Sequence, residues 1–122
     1  MNKEIRILLV EDEVLIGMFV ASQLKKLGYT VLQQATTGEN AIQSAKENSP
    51  DIIVMDIRLA GEMDGIDAAA AIQSESDIPI IFVTGYDDKV TKERAAKLHP
   101  RGFLDKPLEI GKLKSTIEAC FY

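Results

Sequence analysis

A chain of 122 residues has room for one domain around one core, and 46% hydrophobic with 27% charged residues sets it apart from disordered and fibrous sequences. A net charge of -5 argues against binding to a nucleic-acid backbone, which needs clustered positive charge. The one cysteine rules out an internal disulfide, and the opening residues run into an apolar stretch only as long as a strand, which supports neither secretion nor a membrane span. The expectation is a single domain over residues 1–122 in a reducing, cytoplasmic compartment.

Two periods alternate along the chain. Ile5 to Val10 is a continuous apolar run broken only by Arg6, which predicts a buried strand, and Glu11-Asp12-Glu13 ends it with acids suited to the start of a helix. From Val14 to Leu27 the spacing predicts a helix with Ile16, Phe19, Val20, Leu24 and Leu27 inward, stopped at Gly28. Val14, Leu15 and Met18 fall off that stripe and are expected to be exposed, apolar and available to a partner. Tyr29 to Leu32 reads as a short strand, and a second helix opens at Thr37-Gly38-Glu39, turns Ala41, Ile42 and Ala45 inward, and ends at Ser49-Pro50.

Asp51 to Met55 then reads as a central strand, buried on both faces and closed by Asp56. A loop over 57–63 leads to an alanine-rich helix from Asp64-Gly65 through Ile72, and Ile78 to Val83 is a fourth buried strand with Pro79 near its start. Lys89 to Leu98 is a charged helix with a thin apolar stripe. Gly102 to Leu104 is a short last strand, and a closing helix places Ile110, Leu113 and Ile117 inward. Five strand–helix units imply an α/β fold of three layers, a parallel sheet covered by helices on both faces through right-handed crossovers. Cys120 reads as a small core or boundary residue.

Chemistry gathers at the strand ends. Ligands bind beyond the C-terminal ends of the strands in an open parallel sheet. With the first and third strands adjacent, Glu11, Asp12 and Asp56 meet at one edge. Alone, Glu11 and Asp12 would suit helix capping, but Asp56 ends a different strand, and three close carboxylates repel unless a cation intervenes. All-oxygen ligands with room for water suit Mg²⁺. Thr84 ends the fourth strand and Lys106 follows the fifth, so a hydroxyl and an ammonium can reach the same crevice and complete a phosphoryl pocket. Taken singly, Thr84 would pass for a turn residue and Lys106 for a solvated charge.

The sequence resembles the receiver domains of two-component response regulators, in the CheY-like superfamily. Val10-Glu11-Asp12-Glu13, Met55-Asp56, Met63-Asp64-Gly65, Thr84 and Lys106-Pro107 carry the resemblance, in an order and spacing that span nearly the whole chain. The resemblance implies a (βα)5 flavodoxin-like fold with strand order 2-1-3-4-5. It implies that Asp56 accepts a phosphoryl group from a sensor histidine kinase or histidine phosphotransfer protein. Asp12 and Asp56 then bind Mg²⁺ directly, Glu11 acts through water, and the backbone carbonyl of Arg58 adds a ligand. Lys106 pairs with a phosphoryl oxygen, and the Lys106-Pro107 bond is cis. Such a domain is not a conventional enzyme; its chemistry is Mg²⁺-dependent self-phosphorylation and self-dephosphorylation. The switch implied is Thr84 with Phe103, reshaping the face made by the fourth helix, fifth strand and fifth helix for a downstream target.

The sequence departs from the common receiver pattern at the loop Arg58 to Glu62, one residue longer and without its proline, and at Gly85, where alanine is usual. Arg58 and Tyr86 sit where receivers crowd the path of hydrolytic water, so dephosphorylation is expected to be slower than in a variant carrying Arg58→Asn and Tyr86→Ala. His99, with no second histidine to pair with, reads as a loop residue. A flavodoxin-like electron carrier would need a donor-rich phosphate loop where Glu11-Asp12-Glu13 stands, and a dehalogenase-type phosphatase would need an acid where Arg58 stands. The expectation is a receiver without a DNA-binding output domain after Tyr122, either free-standing or a piece of a larger regulator or hybrid kinase.

Overall fold

The computed structural model describes residues 4–85 and 88–122. Its elements are β1 (Arg6–Val10), α1 (Val14–Lys26), β2 (Thr30–Val31), α2 (Gly38–Asn48), β3 (Ile52–Asp56), α3 (Gly65–Gln73), β4 (Ile80–Thr84), α4 (Lys89–Ala96), β5 (Gly102–Asp105) and α5 (Ile110–Phe121). The strands form one parallel sheet in the order β2-β1-β3-β4-β5. This is the doubly wound arrangement that the alternation predicts, with β3 at the centre and every one of its residues buried.

Alternate residues of the buried strands feed two cores, one on each face of the sheet. Leu8, Val10, Ile53, Met55, Ile80 and Phe82 face α2 and α3, which contribute the small Ala41, Ala45, Ala68 and Ala69 together with Ile66 and Ile72. Ile7, Leu9, Ile52, Val54, Ile81 and Val83 face Val20 and Leu24 of α1 and Leu113 and Ile117 of α5. Phe103 is half-buried on the first face and lies opposite Phe82 in the β4–β5 ladder. Cys120 is half-buried beside the second core, and burial raises its thiol above the usual range.

Element ends follow local chemistry. Thr37 caps α2 by accepting the Asn40 amide, and Asp64 and Asp67 form a reciprocal capping box at the start of α3. Strand β4 starts two residues later than its apolar run, because Pro79 has no amide to donate and joins the ladder only through its carbonyl, which accepts from Ile53.

Helix α1 corrects the sequence reading. Its buried residues are Gly17, Val20 and Leu24, whereas Ile16, Phe19 and Leu27 are 44%, 63% and 40% exposed. The inward line is turned from the expected one because Gly17, with no side chain, lets the helix ride against the Gln34 side chain. Val14, Leu15 and Met18 are exposed as expected, so α1 carries a wider apolar surface than its sequence pattern implied. Among the described residues no helix is long and apolar enough to cross a membrane.

Candidate functional site

The parallel register brings the ends of β1, β3 and β4 level. Val10 pairs with Met55 and Asp56 with Val83, so the residues that follow β1 lie beside Asp56. Glu11, Asp12 and Asp56 each offer a carboxylate oxygen, and the three oxygens lie within 4.8 Å of one another. Glu11 and Asp56 are buried and Asp12 is half-buried.

Lys106 enters from the turn after β5. Its amide donates to the Thr84 carbonyl at 3.0 Å, and the Lys106-Pro107 peptide is cis. Its Nζ lies 2.9 Å from Asp56 Oδ2 and 3.2 Å from Glu11 Oε1, one cation spanning two buried carboxylates. Partial burial works against the ammonium, but the hydrogen bond and charge of Asp56, then those of Glu11, outweigh it and raise the lysine above its ordinary value. The remaining acceptor positions are used locally: Glu11 Oε2 takes the Glu13 amide at 3.2 Å, and Asp56 Oδ1 takes the Arg58 amide at 3.2 Å.

Thr84 is fully buried at the end of β4 and lines a polar hollow with Asp12, Arg58, Asp64 and Thr91. On the other side of the carboxylates, Lys106, Asp56 and Glu11 border an apolar groove walled by Ile16, Phe19 and Val20 of α1 and by Leu108 and Ile110. Carboxylates after β1 and at the end of β3 therefore meet the ammonium that follows β5, and Thr84 lines the adjoining hollow with Asp12. Tyr86 lies outside the described residues.

All donors in the cluster are oxygens, which fits a hard divalent cation rather than zinc or copper. Two of the three carboxylates are bridged by Lys106, so the charge of the cluster is already partly offset before any metal binds.

Two neighbouring features were less legible. Gly65 approaches β3 so closely that a Cβ would fall 2.1 Å from the Asp56 carbonyl oxygen, and its amide donates to Ile57 at 2.8 Å. Only its place in the Met63-Asp64-Gly65 stretch hinted at this. Arg94 of α4 forks onto Asp64 at 2.9 Å and Asp67 at 3.1 Å, tying α4 to the first turn of α3. Nothing in the local sequence signalled that contact.

A doubly wound sheet with this cluster at the C-terminal ends of its central strands defines a CheY-like receiver fold. Residues 7–118 match the response regulator receiver domain family, and the chain belongs to it. It is 36% identical to the transcriptional regulatory protein PdtaR of Mycobacterium tuberculosis over 113 residues, covering 93% of this chain and 55% of that protein. Identity to the phyllosphere-induced regulator PhyR of Methylorubrum extorquens is 31%, over 95% of this chain and 43% of that one. The chain thus spans about half the length of these relatives. Among solved structures, the signal receiver domain of a modulated diguanylate cyclase from Desulfovibrio desulfuricans G20 superposes with a TM-score of 0.90 at 38% identity, covering 96% of this chain and 93% of that one.

Proposed function

We propose that the chain is a single receiver domain over residues 1–122, working in the cytoplasm, in which Asp56 accepts a phosphoryl group from a phosphohistidine on a sensor histidine kinase or histidine phosphotransfer protein. The observation that carries this reading is the Lys106 ammonium, held 2.9 Å from Asp56 and 3.2 Å from Glu11 at the mouth of the sheet. A carboxylate oxygen of Asp56 forms the new bond to phosphorus as the bond from phosphorus to the histidine nitrogen breaks. Lys106 disperses the charge that gathers on the phosphoryl oxygens during transfer.

Asp12 and Asp56 would ligate Mg²⁺ directly, with Glu11 acting through water and the Arg58 carbonyl completing the protein's share. The ion would neutralise the carboxylates and the incoming phosphoryl oxygens. Thr84 would then donate its hydroxyl to the phosphoryl group, and Phe103, opposite Phe82 on β5, would follow, so that the face of α4, β5 and α5 changes for a downstream protein. The domain modifies itself and is not a conventional enzyme.

Incubation with Mg²⁺ and acetyl phosphate tests the acceptor. Intact mass should rise by one phosphoryl group in the wild type, and Asp56→Asn should abolish the gain. Labelling of Asp56→Asn to the wild-type extent would discard the assignment.

A further inference from the structure

We infer that Gln34 is a positioning residue for the carboxylate cluster, acting through the Glu11–Asp12 peptide, and that Gly17 exists to make room for it. This rests on the proposed metal-assisted phosphoacceptor site. Gln34 lies between β2 and α2, and its Nε2 donates to the Glu11 carbonyl at 2.8 Å. That carbonyl belongs to the peptide that carries Asp12, so fixing its plane fixes where the Asp12 Cα and side chain start.

Glu11 is held at every polar group. Its amide donates to the Ala35 carbonyl at 3.0 Å, its carbonyl accepts from Gln34, and its carboxylate takes Lys106 on one oxygen and the Glu13 amide on the other. Among the described residues no such bond holds the Asp12 carboxylate, so its direction depends on the backbone in front of it. The turn also lacks the usual brace, because Glu13 at the start of α1 makes no side-chain cap. Gln34 supplies the restraint from a neighbouring segment instead. Groups one step removed from metal ligands set ligand orientation in this way, and their loss weakens metal binding without removing a ligand.

Gly17 closes the argument. A Cβ built there would fall 2.0 Å from Gln34 Nε2, 2.2 Å from its Cδ and 2.3 Å from its Oε1. The amide that holds the Glu11 carbonyl therefore rests on the bare Cα of a buried helical glycine. Glycine inside a helix is ordinarily a cost, and here it leaves open the space that this amide occupies as it reaches its acceptor.

Two independent substitutions should break the same hydrogen bond. Gln34→Leu removes the donor at similar volume, and Gly17→Ala pushes the flexible end of Gln34 aside while favouring the helix. Calorimetric titration with Mg²⁺ should give a Kd raised about five- to tenfold in each variant. The double variant should be no weaker than either single one, since both act through one contact. Thermal unfolding of metal-free Gly17→Ala should occur at the wild-type temperature or above, which separates positioning from a general loss of structure. Wild-type affinity in either single variant, or losses that multiply in the double variant, would overturn the role of Gln34 while leaving the phosphoacceptor reading intact. A wild-type protein that binds no Mg²⁺ would overturn both.

Discussion

The Cα of Gly65 lies against the carbonyl oxygen of Asp56, so close that a Cβ would come within 2.1 Å of that oxygen. Backbone stands on backbone here, and neither side can rotate out of the way as a long side chain could. Gly65→Ala should therefore force α3 away from the end of β3. We expect a loss of about 2 kcal/mol of stability, within the usual cost of overpacking, together with weaker acetyl phosphate labelling of Asp56. Urea unfolding measures the first and intact mass the second. An unchanged urea midpoint would show that the loop absorbs the extra methyl.

Lys106 holds two buried carboxylates together, so its removal exposes their repulsion. Its value is raised in the folded state, and the stability it contributes is complete below the ordinary lysine value and lost only as pH rises through the folded one. At neutral pH the contribution is therefore at full strength. Lys106→Met should cost about 2 kcal/mol in metal-free protein, discounted from a fully buried pair because the lysine is one-third exposed. Added Mg²⁺ should then raise the melting temperature more in the variant than in the wild type, since the ion meets an uncompensated cluster. An equal or smaller Mg²⁺ shift in Lys106→Met would contradict this.

Arg94 gives α4 an anchor that its core contacts do not, since Ala95 is the helix's one buried residue. Burial opposes ionisation of Asp64, yet the Arg94 hydrogen bond, the Asp67 amide and the Arg94 charge outweigh it and hold the carboxyl below its ordinary value. A depressed folded value means stability that is present above the unfolded value, about 4, and lost as pH falls through the folded one. Arg94→Met should cost about 1 kcal/mol at pH 7, the upper range for a partly exposed forked pair. The difference from wild type should shrink below about pH 4 and in high salt. Chemical unfolding of both proteins at pH 7 and pH 3 is the check, and a gap independent of pH would assign the cost to lost packing.

Most of this arrangement could be read from the chain because its signals are local. The three central strands are nearly continuous apolar runs, Asp56 and Thr84 end two of them, and acids directly follow β1, so a parallel register alone brings them together. The inward line of α1 was misplaced for a different reason. Ile16 and Phe19 fit a helical stripe as well as Gly17 does not, and the preference reverses only because Gln34, from a distant segment, fills the space beside the glycine. Arg94 was equally silent: an arginine on a charged helix looks solvated until the fold sets α4 beside the first turn of α3. What sequence periodicity misses in both cases is a contact between segments whose partner is polar or absent.

That same misplacement enlarges the surface on which the phosphodonor is proposed to dock. Leu15, Met18 and Phe19 are 80%, 59% and 63% exposed on α1, and Ile16 and Phe19 also wall the apolar groove that runs to Lys106 and Asp56. On the proposed reading a phosphohistidine would approach Asp56 at this end of the sheet, so a helical partner that covers α1 would bury apolar area while bringing its phosphoryl group to the site. Leu15→Glu with Met18→Glu leaves the core untouched, because neither side chain packs inward, and places two charges where the partner would be dry. Transfer from a phosphorylated histidine donor should slow at least tenfold, about 1.4 kcal/mol in the barrier, while labelling by acetyl phosphate, which needs no docking, stays at the wild-type rate. Purified donor and receiver mixed at sub-saturating concentration, with the phosphorylated receiver followed over time, give both rates. Equal loss with both donors would point to a disturbed site, and equal retention would remove α1 from the docking surface.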